Sequence, residues 1–284
     1  MIGVHRRAES AEVLRALGCT PLSVDVFDEA AVTKAVGSTE PEVIIHQLTA
    51  LPREPNPRAM AKAVRDTAEL RRRTVPLFAK LARRTGARFI AQSMTFVTRP
   101  EGPRIQDESA PLWLDGPRDI ANTCDAIRVL EEATVESFGI ALRYGFLYGP
   151  RTWYARDGGL AEMVRKRMLP VTGSGEGLSS FVHVEDAVLA TLLAVERGSS
   201  GVYNVCDDEP VAQREWLPEL ARLLSAKPPR RAPAWLVSLL AGPSASYYGT
   251  ALRGASNAKA KAEFGFAPRS WRTGFAGEFG PSGP

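Results

Sequence analysis

Apolar, β-rich runs alternate with amphipathic helical stretches along most of this chain, and that alternation constrains its fold more than any other feature. The runs are 22–26 (LSVDV), 43–48 (VIIHQL), 88–93 (RFIAQS), 140–146 (IALRYGF) and 202–206 (VYNVC). Several are apolar at consecutive positions, as strands must be when helices cover both faces. Between them, Met60, Val64, Leu70, Leu77, Phe78 and Leu81 fall near one stripe of a helix over about 58–84, where Pro76 predicts a kink or break. A second helix is predicted over 120–138, through Ile127, Leu130 and Val135. A third, over 185–196, opens on acidic residues that suit the positive end of its dipole. Such alternation builds a parallel, doubly wound α/β sheet. Right-handed crossovers gather the C-terminal ends of the strands on one edge, where ligands bind. After about residue 207 the pattern loosens into a helix near 214–224, a Pro- and Arg-rich link over 227–233 and apolar residues over 235–240. The end, 275–284, reads as frayed.

The 284 residues suffice for one large α/β domain, or one domain with a small appendage. No apolar run reaches the roughly 18 residues that cross a bilayer. Residues 1–7 hold no stretch long enough for a secretory signal, so the cytoplasm is the expected location. A net charge of +4 raises the question of nucleic acid. The basic residues answer against it: Arg71, Arg72 and Arg73 are interleaved with apolar positions and read as a solvated helical face. Three cysteines and three histidines are scattered without metal-ligand spacing, and no metal site is expected.

Six segments, in order, resemble the NAD-dependent epimerase/dehydratase family of extended short-chain dehydrogenase/reductases. Residues 22–26 with Asp28 resemble the segment whose acidic residue meets adenine. Residues 41–50 (PEVIIHQLTA) resemble the fourth strand and the loop over the cofactor, and 89–95 (FIAQSMT) the fifth strand, which ends in a catalytic Ser or Thr. Residues 142–150 (LRYGFLYGP) resemble the strand-six signature, 181–186 (FVHVED) a substrate-domain signature, and 257–266 (NAKAKAEFGF) the closing helix. The resemblance implies a Rossmann-like core over 1–150, incomplete at its N-terminus, and a mixed substrate-binding lobe over 151–284 that returns elements to the core near 180–206. It implies an NAD(P)-dependent oxidoreductase or epimerase/dehydratase-like protein acting on a small organic molecule such as a nucleotide sugar or secondary metabolite. A homodimer is compatible with it.

Two departures stand out. The family opens on a strand and a Gly-x-x-Gly-x-x-Gly turn whose amides reach a pyrophosphate. Here Met1-Ile-Gly-Val4 already resembles the second strand, so the first strand, the glycine loop and the first helix are expected to be absent, a late start site being one reading. The cluster Gly173-Ser-Gly-Glu-Gly177 resembles a substrate-domain loop instead. The family also uses Tyr-x-x-x-Lys for proton transfer. A shared glutamate, Glu131, sets the register and puts Thr123 at the tyrosine position and Ile127 at the lysine position. Isoleucine carries no charge and threonine is a poor acid near neutral pH. The alternative function is therefore a non-catalytic or ligand-sensing relative.

The candidate cofactor residues are Arg6, Arg7, Asp25, Val26, Gln47, Leu48 and Gln92. An arginine after the second strand accommodates a 2′-phosphate, so Arg6 or Arg7 favours NADP over NAD, unless both are plain loop arginines. Asp25 either accepts from the adenine amino group or caps a turn. The catalytic candidates are Ser93, Thr123 and Tyr148. Ser93 either orients a carbonyl or merely ends a strand. Tyr148, or Tyr144, either replaces the missing proton donor or packs as an ordinary aromatic. His183, beside Glu185 and Asp186, reads as a structural link from strand to helix.

Overall fold

The computed structural model describes residues 1–52, 54 and 57–280, the side chains at 57 and 58 excepted. The first half runs β1 (Ile2–His5), α1 (Ala8–Ala16), β2 (Thr20–Ser23), α2 (Glu29–Thr39), β3 (Val43–His46), α3 (Pro57–Thr85), β4 (Arg88–Met94), β5 (Ile105–Gln106), α4 (Arg118–Glu136) and β6 (Ile140–Tyr144). The chain continues through β7 (Phe146–Tyr148), α5 (Gly159–Arg165), β8 (Val171–Thr172), β9 (Leu178–Ser179), β10 (Phe181–His183), α6 (Val184–Glu196) and β11 (Gly201–Val205). It closes with β12 (Val211–Ala212), α7 (Gln213–Leu223), β13 (Arg231–Ala232), α8 (Ala234–Ala241), α9 (Pro243–Thr250), β14 (Gly254–Ala255), α10 (Ala258–Phe264) and α11 (Trp271–Phe279).

The main sheet has the order β11-β6-β4-β3 and is parallel throughout. β1 and β2 form a separate parallel pair. Among the described residues, β1 pairs only with β2, and β3 only with β4. Ile2 and Val4 of β1 and Ile45 of β3 are exposed, as are Val188 and Leu192 on α6. β11 returns from the second half of the chain to lie beside β6. The fold is Rossmann-like α/β, and among the described residues no helix is long and apolar enough to cross a membrane.

Local chemistry explains the helices. The Asp28 carboxylate caps α2 by accepting from the Ala31 amide at 3.0 Å. His183 Nδ1 caps α6 by accepting from the Glu185 amide at 3.2 Å. Pro76 neither ends nor divides α3, which runs on to Thr85. Its cost is met by packing: Val75, Ala79 and Ala82 on α3 are buried against Ile127 and Leu130 of α4.

Three expectations need correcting. The strand expected over 22–26 spans Thr20–Ser23, and Val24 and Val26 reach the core from the loop beyond it. The expected frayed end is, as far as residue 280, an ordered helix whose Trp271, Phe275 and Phe279 are buried in an aromatic core; residues 281–284 lie outside those described. The arginine run is not a solvated face. Arg72 pairs with Asp125 at 2.9 Å, Arg73 stacks on the Phe27 ring at 4.6 Å, and Arg71 is 4% exposed.

Candidate active site

Parallel strands bring residues 46–48, 92–94 and 144–146 to one edge of the main sheet, and residues 5–7 and 24–26 follow the two strands of the β1–β2 pair. Arg6 and Arg7 are exposed at the start of α1, whose first turn has no side-chain cap. Asp25 Oδ1 accepts from the Phe27 amide at 3.0 Å and closes its own loop, and Val26 is half-buried. Gln47 Nε2 donates to the Tyr144 hydroxyl at 3.2 Å, and that hydroxyl also meets Thr191 Oγ1 at 2.6 Å. These bonds tie the loop after β3 to β6 and α6. Burial holds the Tyr144 hydroxyl above the usual phenol range. Leu48, next to Gln47 in sequence, and Gln92, in register with Leu142, are half-buried.

The catalytic candidates do not converge. Ser93 is buried, and its hydroxyl donates to Glu131 Oε1 at 2.7 Å. Arg143 grips the same carboxylate with Nε and an Nη, both at 2.7 Å. Side-chain period 2 turns Gln92 and Met94 to the opposite side of β4 from Ser93. The Thr123 hydroxyl donates to the Asp119 carbonyl at 3.0 Å, one turn back on its own helix. Ile127 is fully buried in the α3/α4 core. Tyr148 is also fully buried, edge-on to His183 and Phe275 at 5.0 Å each. Its hydroxyl has no hydrogen-bond partner among the described residues and abuts Gly274, where any Cβ would overlap it. Burial, with Asp207 nearby, pushes that hydroxyl far above the usual range.

Asp207 went unmarked in the sequence. Its Oδ2 accepts from the Trp271 amide at 2.7 Å, whereas Oδ1 is buried without a partner among the described residues. Burial pushes its carboxyl up to about 7, against the Trp271 and Glu209 amides that favour the anion. A carboxyl raised on folding stabilises the fold when protonated, so its contribution is complete below pH 4 and is lost as pH rises to 7. The expected loss between pH 5 and 7 is about 2 kcal/mol, at 1.36 kcal/mol per unit. Denaturant unfolding at both pH values checks this: Asp207→Asn should flatten the dependence, and an equal slope in the variant would contradict it.

Aromatic side chains gather where β4 and β6 end. Phe96 and Phe146 stack at 4.4 Å and 7°, and Tyr248 from α9 stands edge-on to both, at 5.9 and 6.2 Å. Tyr154 lies 6.2 Å from Phe146. All four rings are half-buried. The hydroxyls of Tyr154 and Tyr248 have no hydrogen-bond partner among the described residues, yet neither is sealed from solvent-sized space. Burial raises both above the usual phenol range. The charges of Cys124, Asp119 and Tyr154 also act on the Tyr248 hydroxyl in the raising direction. No motif marks this cluster, because its members come from positions 96, 146, 154 and 248.

The profile of the NAD dependent epimerase/dehydratase family matches residues 1–206. A 3-diazoavenalumate denitrifying reductase from Streptomyces sp is 44% identical over 262 residues, covering 89% of this chain and 85% of the relative. Among solved structures, a double mutant of the dTDP-glucose 4,6-dehydratase DesIV from Streptomyces venezuelae, with NAD and DAU bound, aligns with a TM-score of 0.71 at 16% identity, over 96% of this chain and 82% of that one. A Thermotoga maritima UDP-glucose 4-epimerase with UDP-glucose aligns at 0.68 and 20%, over 92% and 83%. These two likenesses concern the fold. The fold, the ordered strand-end segments and the family match together make one conclusion plain: the chain belongs to the NAD dependent epimerase/dehydratase family, as an NAD(P)-dependent oxidoreductase- or epimerase-like protein.

Proposed function

We propose that this protein is a reductase that removes dinitrogen from an aryl diazo compound, using a nicotinamide dinucleotide. The observation that carries the reading is the state of the proton-transfer positions: Thr123 spends its hydroxyl on a helix carbonyl and Ile127 is a core residue. Oxidation of an alcohol needs a base for its proton. Replacement of a diazonium group by hydrogen needs none. The C–N bond would break with its electron pair leaving as dinitrogen, and the hydride that a bound nicotinamide would supply would form the new C–H bond. The 44% identical relative is named for a denitrifying reduction of a diazo acid.

The residues at the strand ends fit the two ends of a dinucleotide. Arg6 and Arg7, with the uncapped amides of α1, suit a ribose phosphate and favour NADP over NAD. Asp25 and Val26 suit adenine. Gln47, Leu48 and Gln92 suit the nicotinamide end, where the bound cofactor supplies hydride. The stacked Phe96 and Phe146 suit an aryl ring, and the free hydroxyls of Tyr154 and Tyr248 suit its polar substituents. The test is dinitrogen release from a hydroxyarenediazonium carboxylate with NADPH and with NADH. Enzyme-dependent gas release, faster with NADPH, is expected. Turnover limited to reduction of aldehydes or ketones, or to oxidation of alcohols or nucleotide sugars with the oxidised cofactor, would overturn the reading.

A further inference from the structure

Arg71 is a buried cation with no counter-charge. It is 4% exposed, and among the described residues it makes no ion pair and no side-chain hydrogen bond. Burial is the sole cause of its pKa falling to about 10, so no carboxylate acts on it. Two contacts along α3 locate it. Thr67, one turn before, accepts from the Ala50 amide at 3.0 Å. Thr74, one turn after, meets His46 Nε2 at 2.8 Å. Arg71 therefore lies under residues 46–50, at the C-terminal end of β3, on the ligand edge of the sheet. His46 cannot pair with it. The Thr74 hydroxyl donates to the Leu70 carbonyl at 2.7 Å, so His46 Nε2 is the donor toward Thr74. Burial also lowers the His46 pKa to about 4, which keeps the ring neutral. None of the Arg71 nitrogens is among the sealed, unpaired polar atoms, so the guanidinium keeps a slight contact with solvent.

A buried charge without a partner costs several kcal/mol and persists where a ligand completes it. We propose that Arg71, held between Thr67 and Thr74 beneath the loop after β3, is an anion-recognition residue that takes carboxylate or phosphate oxygens of a ligand bound at the strand ends. The planar fork of the guanidinium suits either group. The site stands independently of the diazo reading, since it concerns binding alone.

The full chain is compared with Arg71→Gln and Arg71→Lys, first by thermal melting without ligand. It is then titrated calorimetrically with inorganic pyrophosphate, NADPH, 4-hydroxycinnamate and the neutral 4-hydroxycinnamamide. Arg71→Gln is expected to melt at or above the parent, because it removes an unpaired buried charge, and to bind its anion about tenfold or more weakly. Arg71→Lys should recover part of that loss. Loss confined to 4-hydroxycinnamate, with the amide unaffected, assigns the site to a substrate carboxylate. Loss of pyrophosphate and NADPH assigns it to a cofactor phosphate. An Arg71→Gln protein that melts lower and binds all four probes as the parent does would make Arg71 a structural residue and overturn the proposal.

Discussion

Thr123→Tyr together with Ile127→Lys is expected to raise oxidation of simple secondary alcohols by roughly 10²-fold or more, within the 10²–10⁴-fold that a positioned proton donor contributes. The two positions lie one turn apart on α4 and share a face. In the parent neither position offers a titratable group: the Thr123 hydroxyl is held by the Asp119 carbonyl and Ile127 is sealed in the core. A lysine at 127 must thread its stem through apolar neighbours and deliver its ammonium to the strand edge. The comparison is therefore made on preparations that retain a cooperative melt. The measurement is NAD(P)H formation over a panel of secondary alcohols. An unchanged rate in a folded double variant would mean that another group already moves the proton, and the proton-free account of this site would fail with it.

Glu131→Ala is expected to destabilise the fold by about 3–5 kcal/mol, the usual consequence of stranding one partner of a buried ion pair. Glu131 and Arg143 are both buried and joined by two bonds of 2.7 Å, with Ser93 donating to the same carboxylate. Removing the carboxylate leaves a guanidinium with only a long contact to the Glu108 carbonyl. It also frees the Ser93 hydroxyl. Glu131→Ala with Arg143→Met should recover much of the loss, since the orphaned charge goes with its partner. Urea unfolding of the parent, both single variants and the pair closes the cycle. A loss below 1 kcal/mol for Glu131→Ala would show that the triad contributes little to the fold.

The alternation of strands and helices was legible because parallel strands buried on both faces leave near-continuous apolar runs. Strand ends were less legible. Val24 and Val26 continue the apolar alternation beyond Ser23, although they enter the core from a loop. Pro76 misleads because tertiary packing on α3 outweighs its local cost. The terminal helix carried a signal in Trp271, Phe275 and Phe279, spaced by four, but its glycines masked it. The site was legible as an edge and not as a chemistry. The Glu131 register puts Thr123 and Ile127 at the tyrosine and lysine positions only by resemblance, whereas the aromatic cluster joins distant positions. Arg71 is chemically identical to its two neighbours, and only helix phase distinguishes it. It shares the stripe of Thr67, Thr74 and Phe78, and counting from that stripe could have found it.

The central claim is direct hydride delivery to a carbon that loses dinitrogen, and deuterium labelling tests it most directly. The protein is supplied with NADPH deuterated at the transferable position and a hydroxyarenediazonium carboxylate. Dinitrogen is counted and the arene examined by mass spectrometry and NMR. The account predicts one dinitrogen released per NADPH oxidised, with deuterium on the carbon that bore the nitrogen. NADPH oxidised without dinitrogen, or an arene whose new hydrogen comes from water, would contradict it.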